Sequence, residues 1–426
     1  MQRQIKKIKS VNGELMLPGD KSISHRSVIF SSMANGLSII ENLSGAEDVA
    51  STINCLKQSG CLFKQKNNLL YITGRGFKGL TKPSAPLDAG NSGTTTRLLF
   101  GLLSVQNFES TITGDNSLSK RPMKRVMEPL NLMGVAFKEP DKFTLPVTIL
   151  PSENMHAIRH KLQVASAQVK SAILIAGLHF NALTVVSEFT PTRNHTENLL
   201  NLKVEKSENY TNIYVSKADY PKPGQYLIPS DISTAAFFMA LALIANNARL
   251  LIKNVGLNPS RTGIINIFKQ MGGRIEILNQ SVRMGELYGD ISICESTLNN
   301  IKISEEIIPN IIDEIPILAI AGLFATGNFR IEGAKELRFK ESDRIMAMCY
   351  NFRLLGLDVD EFEDGFEVSG KIKNSSIVFE SFHDHRIAMA FSILSALSDT
   401  GGIINNFECI GISNPGFLSQ LESISG

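Results

Sequence analysis

Apolar residues recur along the chain in helix-like runs, each of which ends in a Gly or Asn turn and passes directly into a short β-branched strand. The six copies read SVIFSSMANG-LSIIEN, RLLFGLLSVQN-FESTITG, AILIAGLHFN-ALTVVS, AFFMALALIANN-ARLLIKN, PILAIAGLFATG-NFRIEG and AMAFSILSALSDTG-GIINNF. Their turn residues are Gly36, Asn107, Asn181, Asn247, Gly327 and Gly401. Successive turns are 66 to 80 positions apart, and a spacing this regular in a chain of 426 residues indicates six internal repeats.

A second pattern follows the strand in four of the repeats. There a helical run closes on Gly immediately before another strand, in INCLKQSGCLF, EPLNLMGVAF, INIFKQMGGRI and NFRLLGLDV. Glycine readily adopts the left-handed conformation that ends many helices, so these glycines predict helix C-termini. Each repeat is therefore predicted to be a β-α-β-α-β-β unit, and the fold class to be α/β.

The six repeats divide into three and three, and two Pro/Gly-rich segments mark where the chain would pass from one half to the other. One is residues 218–229 (ADYPKPGQYLIP) and the other is residues 17–19 (LPG), and each leads into a polar helix start. The prediction is one domain of residues 19–229 and a discontinuous second domain of residues 1–18 plus 230–426. A cleft between two such domains is the expected place for a ligand.

Polar and basic residues precede the apolar helix in four repeats, in DKSISHR, GNSGTTTR, SAQVK and HDHR. Ser, Asn and Asp at such places are ordinary helix N-caps. However, Lys21, Arg26, Arg97 and Arg386 bring positive charge to the positive end of a helix dipole, which is locally unfavourable. Because helix N-termini also present N–H groups that bind anions, this repeated exception indicates an anionic ligand.

Two further turn-rich segments are basic, SKRPMKR at residues 119–125 and KESDR at residues 340–344. In the second segment, Lys340 and Arg344 would be i,i+4 neighbours on a helix, and Glu341 is a candidate for proton transfer. The simpler interpretation is a plain basic loop for the first segment and solvent-exposed ion pairs for the second. The residues alone leave both interpretations open.

Composition and charge argue against several classes of protein. Forty-three Lys plus Arg against 41 Asp plus Glu leave a net charge of +2, which argues against a protein that coats nucleic acid. The five cysteines form no CxxC pair, which argues against a zinc site or disulfide framework and favours a reducing compartment. No signal peptide and no apolar run of membrane-spanning length are found, so we predict a cytoplasmic protein that binds no membrane. The absence of a P-loop argues against a P-loop NTPase, and the absence of a helix after GRGFKG argues against a Rossmann dinucleotide site.

Six segments, DKSISHR, GNSGTTTR, RPM, SAQVKSA, KESDR and HDHR, resemble in this order the 5-enolpyruvylshikimate-3-phosphate (EPSP) synthase family. The resemblance spans the chain from Pro18 to about Leu421. It implies two lobes, each a threefold repeat of βαβαββ units, the inside-out α/β barrel of enolpyruvyl transferases. It also implies transfer of the enolpyruvyl group of phosphoenolpyruvate to the 5-hydroxyl of shikimate 3-phosphate, with release of phosphate. It further implies no metal or cofactor, no nucleic-acid partner and a monomer.

The resemblance also implies a role for particular residues. It implies contacts with shikimate 3-phosphate for Lys21, Ser22, Arg26, Ser166, Ala167, Gln168, Arg193, Asp313 and Lys340. It implies contacts with phosphoenolpyruvate for Lys21, Gly93, Arg121, Gln168, Arg344 and Arg386. Asp313 is expected to accept a proton, Glu341 to transfer one at the methylene carbon, and Lys21 to take part in catalysis. From its local sequence alone, Asp313 is only a helix N-cap before Pro316.

Three positions depart from patterns seen in some family members. Leu98 stands where some carry Pro, Glu336 where many carry Asn, and Ile412 lies near the place of a Lys. Two alternatives are kept. A transferase acting on UDP-N-acetylglucosamine has the same fold but uses a Cys in the loop at residues 113–125, and this loop contains none. A non-catalytic anion-binding repeat protein would keep the basic residues without needing Asp313 or Glu341.

Overall fold

A computed structural model of the chain describes residues 1–374 and 377–426. Its helices are α1 (Lys21–Met33), α2 (Glu47–Gln58), α3 (Gly93–Leu103), α4 (Lys124–Leu132), α5 (Ala167–Gly177), α6 (His195–Leu200), α7 (Ile232–Ile244), α8 (Gly263–Gln270), α9 (Ile308–Ile311), α10 (Ile315–Leu323), α11 (Arg344–Leu354), α12 (His385–Leu397) and α13 (Phe417–Ile424). Its strands are β1 (Arg3–Ile5), β2 (Asn12–Met16), β3 (Asn35–Glu41), β4 (Leu62–Lys66), β5 (Leu69–Arg75), β6 (Leu87–Asp88), β7 (Ser110–Thr113), β8 (Ala136–Phe137), β9 (Val147–Leu150), β10 (Arg159–Lys161), β11 (Thr184–Glu188), β12 (Lys203–Lys206), β13 (Thr211–Val215), β14 (Gln225–Leu227), β15 (Arg249–Gly256), β16 (Arg274–Arg283), β17 (Glu286–Cys294), β18 (Phe329–Ile331), β19 (Asp358–Glu361), β20 (Phe366–Ser369), β21 (Val378–Glu380) and β22 (Gly402–Asn405).

The chain divides into two compact units by its internal contacts. Unit one comprises Met1–Pro18, Pro229–Ser281 and Leu287–Gly426, and unit two comprises Gly19–Ile228 and Val282–Glu286. Each unit has its own hydrophobic core. None of the helices in residues 1–374 and 377–426 is long and apolar enough to cross a membrane.

Unit two contains three four-stranded sheets of the same topology. Their strand orders are β14-β3-β5-β4, β6-β7-β9-β8 and β10-β11-β13-β12. In each sheet the first two strands pair in parallel and the rest are antiparallel. For the second and third sheets this is the predicted β-α-β-α-β-β order along the chain. In the first sheet the parallel strand is β14, which comes from the far end of the unit's sequence.

Unit one repeats this arrangement less regularly. Its sheets have the orders β2-β15-β17-β16, β18-β20-β19 and β1-β22-β21. β2 pairs in parallel with β15, with Asn12 opposite Arg249. In the last sheet, β22 pairs with the N-terminal strand β1 in antiparallel fashion, with Arg3 opposite Ile404. The sixth repeat therefore departs from the predicted unit, because β1 takes the place of a strand from its own hairpin.

The third repeat contains the second helix of the predicted unit, although its sequence lacks the Gly-terminated pattern that marks this helix in four other repeats. α6 is only six residues long and ends at Asn201, which has a left-handed conformation with φ of 50° and ψ of 47°. The hairpin β12–β13 follows it, as in the other repeats of unit two. Because asparagine replaces glycine at the helix end and the helix is short, the usual signals of a second helix are missing.

The apolar helices of the repeats are buried on nearly every side. α7 and α10 expose almost none of their side chains, and α1, α3 and α5 are nearly as enclosed. Helices α3 and α5 approach each other closely, since a Cβ on Gly101 would lie 2.2 Å from the carbonyl oxygen of Ala172. Glycine at position 101 permits this contact. The starts of α3 and α5 also meet, since Gln168 Nε2 donates to Thr94 Oγ1 at 2.9 Å.

Candidate active site

The three helix starts of unit two are capped as the sequence indicated. The side chains of Asp20, Ser92 and Ser166 accept hydrogen bonds from the main-chain N–H groups of Ile23, Thr95 and Val169 at 2.8, 3.1 and 3.4 Å. These caps satisfy only part of the N–H groups that each helix start leaves without a partner in the helix. The capping interpretation is therefore correct, and it leaves donors for an anion.

Lys21, the first residue of α1, forms an ion pair with Asp48. Its Nζ lies 2.8 Å from Asp48 Oδ2, and the two side chains are 18% and 10% exposed. Asp48 belongs to the first turn of α2, where an acidic side chain interacts favourably with the helix dipole. Asp48 could not be singled out from the sequence, because an acidic residue at a helix start has no unusual local feature.

Arg26 is buried in the second turn of α1 and is held on three sides. Its Nε donates to Thr196 Oγ1 at 2.8 Å, its Nη2 to Ser171 Oγ at 2.7 Å and its Nη1 to the carbonyl oxygen of Ser22 at 2.9 Å. Burial lowers the pKa of Arg26 to about 10, although nearby Glu197 and Asp20 raise it. The side chain therefore stays charged at neutral pH.

His25 connects the same helix starts through hydroxyl groups. Its Nδ1 lies 2.7 Å from Thr52 Oγ1, which lies 2.7 Å from Thr95 Oγ1, and Thr95 donates to Ser92 Oγ at 2.8 Å. Burial lowers the pKa of His25 well below its usual value, and the charges of Lys21 and Arg26 lower it further. His25 is thus a neutral part of the scaffold.

Gly93, Arg121 and Gln168, which the resemblance assigned to phosphoenolpyruvate, lie near one another in unit two. A Cβ on Gly93 would lie 2.7 Å from Arg97 Nη1 and 3.7 Å from Arg121 Nη1. Arg97 Nη1 donates to Gln168 Oε1 at 2.6 Å. Glycine at the start of α3 thus leaves room beside two guanidinium groups.

The remaining residues expected to bind shikimate 3-phosphate in unit two adjoin this region. Ser166 caps α5, Ala167 is its first residue, and Ser22 is half-buried beside Lys21. Arg193 lies just before α6, half-buried, and its positive charge acts on Arg26. The structure therefore gathers all the predicted residues of unit two around the starts of α1, α3, α5 and α6.

Unit one gathers the other predicted residues around Asp313 and Arg344. Asp313 Oδ1 lies 3.4 Å from Lys340 Nζ and 3.3 Å from Arg344 Nη1, and Arg344 Nη2 donates to Glu341 Oε2 at 2.5 Å. Arg386 Nη1 donates to the carbonyl oxygen of Asp313 at 2.8 Å. Three cations and two carboxylates thus form one cluster.

Two local interpretations of these residues are wrong. The cap residue of α10 is Glu314, and Asp313 lies one position before it, where its carboxylate contacts cations instead of capping the helix. Lys340 lies outside α11, which begins at Arg344, so the two are not i,i+4 helical neighbours. They come together because both contact Asp313.

Asp384 is a further member of this cluster that the sequence analysis missed. Its carboxylate accepts from Arg344 Nε at 2.8 Å and, as the N-cap of α12, from the main-chain N–H of Arg386 at 2.8 Å. Burial alone would lower the pKa of Arg344. The negative charges of Asp384, Glu341 and Asp313 instead raise this pKa above its ordinary value. Burial alone would raise the pKa of Asp384, but Arg344 holds it below its ordinary value. Both groups are therefore charged at neutral pH.

Leu98, Glu336 and Ile412, the three positions that depart from the family pattern, add no positive charge to the cluster around Asp313 or to the helix starts of unit two. Leu98 is fully buried within α3, and Ile412 packs against the core of unit one. Glu336 is exposed in a 3₁₀ helix, Lys335–Phe339. In residues 1–374 and 377–426, no three His, Cys, Asp or Glu side chains are grouped as metal ligands are.

Comparison with known proteins decides the family. The model of the family described as EPSP synthase (3-phosphoshikimate 1-carboxyvinyltransferase) matches residues 5–421. The chain belongs to the EPSP synthase family. It is 44% identical to the 3-phosphoshikimate 1-carboxyvinyltransferase of Petrotoga mobilis, over 100% of this chain and 99% of the relative. It is also 44% identical to that of Oceanobacillus iheyensis, over 97% of each.

Solved structures agree with this membership. An EPSP synthase from Acinetobacter baumannii superposes with a TM-score of 0.88 and 39% identity, over 100% of this chain and 98% of that one. An enolpyruvyl transferase from Streptomyces tendae shares the fold, with a TM-score of 0.75 and 12% identity over 99% and 96% of the two chains. Family membership confirms the resemblance, the predicted α/β fold class and the predicted enzyme, a 3-phosphoshikimate 1-carboxyvinyltransferase. It does not favour the UDP-N-acetylglucosamine alternative.

Proposed function

We propose that this EPSP synthase transfers the enolpyruvyl group of phosphoenolpyruvate to the 5-hydroxyl of shikimate 3-phosphate through the residues described above. One observation supports the proposal most strongly. Asp313 and Glu341 both contact the same guanidinium group, that of Arg344, with Lys340 and Arg386 beside them. Carboxylates held among cations can supply acid/base chemistry to an anionic substrate, whereas a protein that only binds anions does not need the carboxylates.

Both substrates carry a carboxylate and a phosphate, which explains the number of cations. Arginine forks and helix N-termini are well suited to these groups. In our proposal, Lys21, Ser22, Arg26, Ser166, Ala167, Gln168, Arg193, Asp313 and Lys340 bind shikimate 3-phosphate. Phosphoenolpyruvate is bound by Lys21, Gly93, Arg121, Gln168, Arg344 and Arg386.

The reaction then proceeds by addition and elimination. The Asp313 carboxylate accepts the proton of the 5-hydroxyl while the oxygen of that hydroxyl forms a bond to C2 of phosphoenolpyruvate. At the same time the acid form of Glu341 donates a proton to C3, which becomes a methyl group. The positive charge of Lys21 stabilises the negative charge on the phosphate. The C2–O bond to phosphate then breaks, phosphate leaves with the electron pair, and one methyl proton returns to Glu341. Asp313 passes its proton to the departing phosphate, so both groups recover their starting forms.

A monomeric protein in the cytoplasm remains the prediction for its assembly and location. The four buried cysteines, Cys55, Cys61, Cys349 and Cys409, are free thiols, which fits a reducing compartment. Light scattering during size-exclusion chromatography would measure the assembly state. A mass near 46.7 kDa is expected for the monomer, and twice that mass would contradict it.

The function is tested by offering the enzyme phosphoenolpyruvate with one of two acceptors. With shikimate 3-phosphate we expect release of inorganic phosphate and a product that carries one enolpyruvyl group. With UDP-N-acetylglucosamine we expect neither. Phosphate release with the nucleotide sugar alone would favour the alternative transferase, and binding of both anions without any release would favour a non-catalytic binding protein.

A further inference from the structure

The hydrogen bonds of Arg26 leave a defined part of its guanidinium group for a ligand. An arginine side chain has five N–H donors, one on Nε and two on each terminal nitrogen. In the described residues, Arg26 uses three of them, one on each nitrogen, toward Thr196, Ser171 and the carbonyl oxygen of Ser22. One N–H on Nη1 and one on Nη2 remain, and this pair can donate to both oxygens of a carboxylate or phosphate.

Thr196 and Ser171 are fixed to each other as well as to Arg26. Their hydroxyl oxygens are 2.7 Å apart, so one hydroxyl donates to the other while Thr196 accepts from Nε and Ser171 from Nη2. The two side chains are fully buried. The resulting ring of three hydrogen bonds sets the plane of the guanidinium group, since rotation would break at least one of them.

Thr196 owes its position to the neighbouring residues of α6. This helix has six residues and no side-chain N-cap, so it is too short to be stable alone. His195 precedes Thr196, and its Nδ1 lies 2.8 Å from Glu286 Oε1. Glu197 follows Thr196, and its Oε1 lies 2.6 Å from Lys170 Nζ. All four side chains are buried. Two enclosed polar pairs thus hold the first turn of α6 on either side of Thr196.

We propose that Thr196, together with Ser171, is a positioning residue for shikimate 3-phosphate: it holds the Nε and Nη2 donors of Arg26 so that the remaining Nη1 and Nη2 donors face one anionic group of this substrate. The proposal rests on the proposed function, because it requires that Arg26 binds shikimate 3-phosphate. It adds two hydroxyl groups to the binding machinery that touch no substrate themselves. Their action is on substrate affinity and not on the proton transfers.

The test replaces the Thr196 hydroxyl with a methyl group of similar size. Thr196→Val removes the acceptor of the Nε donor and frees the guanidinium group to turn. We expect the Kd for shikimate 3-phosphate, measured by calorimetry without phosphoenolpyruvate, to rise about tenfold. The KM for phosphoenolpyruvate and kcat should change less than about threefold. Thr196→Ser keeps a hydroxyl and should restore the Kd to within about twofold of the wild type.

Thr184→Val is the matched control. Thr184 is also a fully buried threonine of unit two, and its hydroxyl has no hydrogen-bond partner in the part of the chain that the structure describes. The substitution should leave both the Kd and kcat unchanged. Thermal unfolding of Thr196→Val and Thr184→Val would show whether a lost affinity reflects a lost fold. A Kd for Thr196→Val equal to that of the wild type, or a Thr196→Ser variant as weak as Thr196→Val, would overturn the proposal.

A double-mutant cycle with Arg26→Lys separates this inference from the proposed function. Lysine has no fork of donors, so Thr196→Val should change the Kd by less than about twofold in an Arg26→Lys background, against about tenfold in the wild type. Equal effects in both backgrounds would overturn the positioning role alone. If Arg26→Lys itself leaves the Kd unchanged, the assignment of Arg26 to shikimate 3-phosphate fails, and the inference fails with it.

Discussion

Arg344 and Asp384 form an ion pair from which solvent is excluded. Arg344 Nε lies 2.8 Å from Asp384 Oδ2, and the two side chains are 1% and 0% exposed. The same carboxylate caps α12 by accepting from the main-chain N–H of Arg386. Asp384 therefore connects two of the arginines that we assign to phosphoenolpyruvate. Its charge also offsets the cost of burying Arg344.

Asp384→Asn should weaken the use of phosphoenolpyruvate and lower the stability of unit one. Asparagine keeps the shape and the cap but leaves the buried Arg344 with less compensating charge. We expect kcat/KM for phosphoenolpyruvate to fall about 100-fold and the free energy of unfolding to fall by about 3 kcal/mol. Steady-state kinetics and denaturant unfolding measure the two effects.

Asp343→Asn is the control for this substitution. Asp343 is likewise a helix N-cap, that of α11, but its carboxylate also pairs with the partly exposed Arg338. The change should cost at most about 1 kcal/mol and leave kcat/KM within about threefold of the wild type. Equal kinetic losses in Asp384→Asn and Asp343→Asn would contradict the role of Asp384.

Asp313→Asn and Glu341→Gln should fold and bind both substrates but turn over slowly. Both changes keep the size of the side chain and remove its ability to exchange a proton. Loss of a general acid or base lowers kcat by about 100- to 10,000-fold. Rapid-quench measurements of product formation would give kcat, and calorimetry would give the two Kd values.

Glu306→Gln serves as the control for this pair, since Glu306 is an exposed glutamate in the same region of unit one. Its kcat should match that of the wild type. Turnover that is unchanged in both Asp313→Asn and Glu341→Gln would reject the acid/base assignment.

Lys21→Ala should weaken substrate binding without destabilising the protein. Lysine at the first residue of α1 opposes the helix dipole, whereas Asp48, which would lose its partner, lies favourably at the start of α2. The free energy of unfolding should therefore change by less than about 1 kcal/mol, while kcat/KM for each substrate falls at least about tenfold. Kinetics and thermal unfolding are the measurements. A collapse of stability at unchanged kcat/KM would indicate a purely structural lysine.

The stability of the protein should fall as the pH is lowered from about 7 toward 4, partly because of His179. Burial lowers the pKa of His179 to about 4, against about 6.5 in the unfolded chain. Below pH 6.5 the unfolded chain takes up a proton that the folded protein does not, so the free energy of unfolding decreases with decreasing pH. His179→Gln should lose less stability between pH 7 and pH 5 than the wild type, measured by denaturant unfolding. An equal loss would show that His179 does not contribute.

Part of the fold could be predicted because each repeat carries its own local signal. The apolar runs with their terminal turns define the central helices and strands, and Gly60, Gly134, Gly272 and Gly356 have the positive φ expected at helix ends. The second helix of the third repeat, α6, carries no such signal because Asn201 takes the place of glycine at its end. The pairing of β22 with β1 could not be predicted, since it joins strands some 400 positions apart without a local pattern.

The cations of the site could be predicted from the sequence, but most of the residues that hold them could not. Lys21, Arg26 and Arg386 are conspicuous because a cation at a helix start is locally unfavourable. Asp384 and Asp48 are not, because acidic residues are ordinary at those places. Thr196 has no distinguishing local feature at all, and its contact with Arg26 spans 170 positions. Partners of this kind become visible only when the chain is folded.

The central claim is that one enolpyruvyl group passes from phosphoenolpyruvate to shikimate 3-phosphate. Phosphorus NMR of a mixture of the enzyme with both substrates follows every phosphate at once, and mass spectrometry of the same mixture identifies the product. We predict that the phosphoenolpyruvate signal is replaced by inorganic phosphate in equal amount, while shikimate 3-phosphate keeps its phosphate and gains the enolpyruvyl group. Phosphate derived from shikimate 3-phosphate, or pyruvate formed without any change in the acceptor, would contradict the account.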